Sequence, residues 1–202
     1  MIPSKENMEL ANLVGDWLKN EVAPVCGEYD EKNEFPEKLY EQMTELGLNI
    51  MCTPEEYGGL DLSAVAQTLI AEQLGRYEVG LGSAVGANAS ATHLMNQFGS
   101  PEQKKIFFDI LVNGGWAAFC LTEPNAGSDA GSVTTTAEES EDGYVINGTK
   151  CFITNGGIAG VYLVFASMDR SLGVKGISCF LVERDREGIS IGKHENKMGI
   201  RL

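Results

Sequence analysis

The hydrophobic period of this chain changes once, at Gly114-Gly115, and that change limits what it can fold into. Before it, apolar residues recur at helical spacing. Leu10, Val14, Trp17 and Leu18 form one such run to about Val22, ended by Pro24, and Leu39, Met43 and Leu46 form another after Pro36, with Gly47 as its exit. Ser63 is placed to cap a helix reaching about Leu74. At 100–103 the run S-P-E-Q supplies a Ser cap, a proline at the first helical position and Gln103 to close a capping box, predicting a helix to about Val112. The Gly/Ala-rich stretch 80–99 predicts a central helix crossed tightly by its neighbours, because each glycine in a helix costs roughly 1 kcal/mol against alanine and close packing must offset that. Its G-L-G-S-A-V-G run is not a dinucleotide fingerprint: the spacing is G-x-G-x-x-x-G and no strand precedes it.

After Gly115 the pattern becomes short β-branched and aromatic runs separated by turn residues. The predicted strands are 116–122, 133–138, 143–147, 149–154, 161–167, 176–184 and 189–194, with hairpin turns at Glu141-Asp142-Gly143 and Asn147-Gly148. Strands so close together, without helices between them, imply an antiparallel sandwich or barrel. The expected fold is therefore α+β, with an all-helical domain over 1–115 followed by an antiparallel β-barrel or sandwich domain over 116–202.

Charge narrows the function classes. The chain carries 15 basic and 29 acidic residues, a net charge of −14. Such a surface repels phosphate backbones and acidic lipid head groups, so neither nucleic acid nor a membrane surface is the expected partner. The longest apolar runs fall short of the ~20 residues that span a bilayer, and membrane insertion is not expected. Cys26, Cys52, Cys120, Cys151 and Cys179 are odd in number, widely spaced and mostly set in apolar runs, which reads as reduced core residues of a cytoplasmic protein. His93 and His194 have no metal-like partner at suitable spacing, so no metal is expected. The N-terminus lacks a basic region followed by an apolar core, and a signal peptide is not expected there.

One strand exit is unusually polar. Residues 119–129 read F-C-L-T-E-P-N-A-G-S-D, crowding hydroxyls and flexible backbone into one loop. Gly127 permits close backbone approach, and Ser128 can donate to a phosphate or carbonyl oxygen. A second stretch, K-C-F-I-T-N-G-G at 150–157, repeats the theme. If both exits meet at one end of the β domain, Phe152 offers a flat apolar face, and Thr122 and Thr154 offer hydroxyls at its edge. Phe152 and Thr154, two apart on the predicted strand 149–154, share one face. A planar heteroaromatic such as a flavin fits that pattern. So does an elaborate Asx/Pro turn over stacked core aromatics, and the spacing leaves both readings open.

The sequence strongly resembles the acyl-CoA dehydrogenase family. The resemblance is carried by P-E-E-Y-G-G-L at 54–60, A-E-Q-L-G-R at 71–76, G-S-P-E-Q-K-K at 99–105, F-C-L-T-E-P-N-A-G-S-D at 119–129, I-N-G-T-K-C-F-I-T-N-G at 146–156 and K-M-G-I-R at 197–201, in family order and over essentially the whole chain. It implies FAD as cofactor, held by Phe119, Leu121, Thr122, Gly127, Ser128, Phe152, Ile153 and Thr154, with Ser128 also near the acyl-CoA substrate. Phe152 matches a position that is often tryptophan in the family, and Thr154 matches the threonine whose hydroxyl approaches flavin N5. The implied reaction converts an acyl-CoA to the trans-2-enoyl-CoA and passes electrons to an electron-transfer flavoprotein, in a protein that is a homo-oligomer at full length.

Family members continue well past K-x-G-I-R as a helical bundle that carries the catalytic glutamate. The resemblance therefore reads this chain as a truncated front half with no catalytic residue of its own, and reads Glu123 as structural rather than a substitute base. A flavin oxidase, monooxygenase or enoyl-CoA reductase of similar build, and a non-catalytic binding or assembly module, are the alternatives.

Overall fold

The computed structural model describes residues 2–141 and 143–202. Asp142, inside the expected Glu141-Asp142-Gly143 turn, lies outside the described residues. The chain divides into two compact units: residues up to Gly114 together with Lys193–Leu202, and Gly115–Gly192.

The first unit is helical. Helices α1 (Lys5–Trp17), α2 (Cys26–Lys32), α3 (Glu37–Glu45), α4 (Ala64–Tyr77), α5 (Val79–Phe98) and α6 (Pro101–Val112) follow in chain order, and a π-helical turn, Leu18–Val22, extends α1. The start signals operate as their chemistry dictates. Ser63 caps α4 by accepting the Ala66 amide at 3.3 Å. Ser100 accepts the Gln103 amide at 3.2 Å while Gln103 Oε1 takes the Ser100 amide at 2.8 Å, completing the capping box of α6. Val14, Leu18, Met43, Leu81, Phe107, Phe108 and Leu111 form much of the buried interior. The glycine-rich helix is packed closely: a Cβ on Gly82 would lie 3.3 Å from the Leu74 Cβ. Two buried amides stitch the unit together, Asn88 donating to the Asn49 carbonyl at 2.6 Å and Asn49 to the Leu111 carbonyl at 2.8 Å. Among the described residues, no helix is long and apolar enough to cross a membrane.

The second unit is a five-stranded sheet of β1 (Ala117–Cys120), β2 (Thr136–Ser140), β3 (Gly143–Asn147), β4 (Val161–Ser167) and β5 (Ile177–Glu183). Its order is β1-β4-β2-β3, with β5 also paired to β4. The fold is α+β, but the sheet is mixed, not wholly antiparallel. Strand β1 runs parallel to β4, with Phe119 opposite Leu163, and β2 touches β4 in parallel at Thr136 and Ser167, while β2–β3 and β4–β5 are antiparallel. Parallel neighbours need a long connection, and the hairpin β2–β3 with the loop after it provides one. Ala118, Cys120, Ala159 and Tyr162 form a buried cluster, with Ile153, Val164 and Val182 packed against it.

Two predicted strands do not form, 149–154 and 189–194. The expected hairpin turn at Asn147-Gly148 does not form either. Gly148 serves a different need there: a Cβ at that position would lie 2.3 Å from Thr135 Oγ1 and 2.7 Å from the Thr135 Cα. The glycine allows two backbones to meet, and the chain leaves the sheet at that point.

Candidate functional site

Strand β1 ends at Cys120, and the chain immediately enters a tight turn. The Glu123 and Ala126 backbones exchange hydrogen bonds of 3.1 Å in both directions around Pro124-Asn125. This turn carries the exposed Gly127 and Ser128 at its far side. Phe119, half-buried on β1, lies with its ring centroid 4.8 Å from that of Phe165 on β4.

The second polar stretch lies against the first. The Cys151 amide donates to the Thr122 carbonyl at 3.0 Å, and the Lys150 ammonium donates to the Leu121 carbonyl at 3.0 Å. Residues 150–156 are a loop, and Phe152 itself breaks the strand pattern with a φ of 54°. Asn155 follows with a φ of 63°, a conformation its short polar side chain tolerates, and donates to the Ala117 carbonyl at 3.2 Å. Beneath, Tyr162 donates from its hydroxyl to the Gly156 carbonyl at 3.0 Å, and Arg184 donates to the Gly157 carbonyl at 2.8 Å. Ile153 anchors the loop in the apolar cluster, leaving Phe152 and Thr154 exposed on either side of it. The shared exposure of Phe152 and Thr154 thus comes from a moored loop and not from strand alternation.

At the junction sits a buried ion pair that the motifs did not reveal. Lys150 Nζ is 2.7 Å from Glu123 Oε1, with the Glu123 side chain 1% exposed. Glu123 also accepts the amide and hydroxyl of Thr134 at 2.7 and 2.6 Å, the Thr135 amide at 3.0 Å and the Thr135 hydroxyl. Burial pushes the Glu123 carboxyl toward its neutral form, but the hydrogen bonds from Lys150, Thr134 and Thr135 outweigh it and hold the pKa well below the usual carboxylate range. Such a group stays ionised and accepts no proton near neutrality. The neighbouring Cys120 thiol, pushed up to about 12 chiefly by burial, stays protonated and inert.

The site therefore has little acid–base capacity and much capacity to hold. Phe152 is 64% exposed and presents an aromatic face. Among the described residues, no partner takes up the hydroxyls of Thr122, Ser128 and Thr154. A flat face and nearby uncommitted donors on two moored loops suit a planar heteroaromatic ring with polar edge atoms, so the residues fit a flavin.

Comparison with known proteins points the same way. The N-terminal domain model of acyl-CoA dehydrogenases matches residues 4–150, and the middle domain model matches 118–202. The chain is 38% identical over 200 residues to an acryloyl-CoA reductase (NADH) from Anaerotignum propionicum, covering 98% of this chain and 51% of that one. Its fold superposes with a TM-score of 0.92 on butyryl-CoA dehydrogenase from Megasphaera elsdenii, at 36% identity over 100% of this chain and 54% of the other. An acyl-CoA dehydrogenase from Bacillus anthracis, solved in complex with FAD, superposes with a TM-score of 0.85 at 39% identity, over 98% of this chain and 34% of that one. The chain spans about half the length of the curated relatives it matches. With both domain models matched in order across nearly its whole length, the chain belongs to the acyl-CoA dehydrogenase family.

Proposed function

We propose that this chain is the flavin-holding part of an FAD-dependent enzyme that oxidises an acyl-CoA thioester to the trans-2-enoyl-CoA. The observation that carries the reading is the junction of the two polar loops, where Thr122 and Cys151 are hydrogen-bonded and Phe152 is left open to a ligand. In this reading Phe119, Leu121, Thr122, Gly127, Ser128, Phe152, Ile153 and Thr154 hold the cofactor, and Ser128 also borders the acyl-CoA. Bound FAD supplies at N5 the hydride acceptor that an unactivated β C–H bond requires and that no side chain offers.

The chain's own residues bind and orient. Phe152 gives the ring a face to stack on, the Thr122 and Thr154 hydroxyls donate to its polar edge, and Ile153 fixes the loop from below. Glu123 is not the base for the α-proton, because its carboxylate is engaged with Lys150, Thr134 and Thr135 and held in the ionised form. That base, in this account, is a carboxylate outside this site. The electrons pass to an electron-transfer flavoprotein, and the full-length protein is a cytoplasmic homo-oligomer.

A second reading keeps the site and reverses the reaction, reducing an enoyl-CoA. The 38% identity to the acryloyl-CoA reductase (NADH) supports it. Titrating FAD with the purified chain and following flavin fluorescence tests what both readings share. Saturable quenching that Phe152→Ala weakens is the expected result, and fluorescence unchanged by the protein would contradict both.

A further inference from the structure

Lys150, at the start of the loop that carries Phe152, reaches back with its side chain to the turn after β1. Its side chain is 11% exposed, and its ammonium donates to Glu123 Oε1 at 2.7 Å and to the Leu121 carbonyl at 3.0 Å. A buried ion pair holds a structure only when its remaining hydrogen-bonding capacity is filled. Here it is filled on the carboxylate side by the amides and hydroxyls of Thr134 and Thr135. The ammonium therefore has a fixed seat, from which it acts on the peptide between Leu121 and Thr122.

In a trans peptide the carbonyl and the following N–H point in opposite directions. Turning the Leu121 carbonyl to Lys150 turns the Thr122 N–H away from it. The Thr122 carbonyl in turn takes the Cys151 amide, one residue before Phe152. Phe152 and Asn155 keep positive φ angles, a conformation that persists in a bulky residue only where its surroundings over-determine it. Lys150, adjacent to Cys151, is part of that constraint.

We propose that Lys150 is a positioning residue for the flavin surface: by bridging Glu123 and the Leu121 carbonyl it holds Thr122 and the Phe152–Thr154 segment in one register, and without it the loops part and the ring loses its seat. The proposal rests on the flavin reading for its ligand, while the loop register can be measured without one.

The test compares the 202-residue chain with Lys150→Met and with the double variant Lys150→Met, Glu123→Gln. Two quantities are read, FAD affinity by fluorescence titration and exchange of the Cys151 amide by NMR. The β4–β5 ladder amides report whether the sheet remains folded. Loss of a hydrogen-bonded charged donor predicts about tenfold weaker FAD binding and about tenfold faster Cys151 exchange in both variants, with the ladder unchanged. The double variant removes the stranded carboxylate, so return of both quantities to wild-type values there would overturn the proposal, leaving only an unpaired-charge effect. Unchanged Cys151 exchange in Lys150→Met would overturn it as well. A wild-type chain that binds no FAD would contradict the flavin reading, and the exchange comparison would still decide the loop register.

Discussion

Gly148 and Thr135 touch so closely that a side chain on the glycine has no place: its Cβ would stand 2.6 Å from the Thr135 Cβ and 2.7 Å from the Thr135 Cα. Backbone on one side and a β-branched residue on the other cannot yield cheaply. Because Thr135 donates to Glu123, the contact also fixes the seat of the buried ion pair. Gly148→Ala should therefore lower stability by about 1–3 kcal/mol, the usual cost of overpacking. Gly157→Ala, where an added Cβ meets nothing within 4 Å, should change it little. Urea unfolding midpoints of the two variants check this, and equal midpoints would contradict it.

The ion pair makes stability depend on acid. The Glu123 pKa is lowered from its ordinary value of 4.5, so its contribution is fully present above that value and is lost as pH falls below it. Glu123→Gln strands the Lys150 ammonium and should cost on the order of 3 kcal/mol near neutrality. The gap between wild type and variant should narrow steadily as the pH falls through the ordinary carboxylate range, as the wild type loses the contribution. Denaturant unfolding at a series of pH values measures the gap, and a gap independent of pH would refute the assignment.

Phe152 is the flat face of the proposed site. Phe152→Ala should weaken FAD binding about fivefold through loss of stacking, while Phe152→Trp should keep or improve it. Thr154→Ala should have a smaller effect, about threefold, because a single neutral hydroxyl contributes modestly. Fluorescence titration of the three variants orders them, and Thr154→Ala exceeding Phe152→Ala would reverse the roles assigned here.

What the sequence makes legible follows the range of the interactions involved. Ser63 and Ser100 act within three residues of themselves, so their caps can be read directly from S-x-x patterns, and α4 and α6 begin where those predict. Residues 149–154 carry the β-branched and aromatic composition of a strand, yet a positive φ at Phe152 and the approach of Gly148 to Thr135 take them out of the sheet. Neither cause is local. The same holds for the parallel pairing of β1 with β4, whose partners are distant in sequence and which reads as antiparallel from spacing alone. Lys150 resembles any solvated lysine until Glu123, 27 positions earlier, is seen beside it. Helix α2 starts after Val25 with no side-chain cap, so its start carries no local signal.

If the joined loops form a flavin surface, amide-resolved NMR of the chain titrated with FAD will show the ring settling on them. Saturable shift changes concentrated at 119–128 and 150–156 are expected, with the ladder between β4 and β5 little affected. Changes confined to the helical unit, or none at any FAD concentration reached, would contradict it.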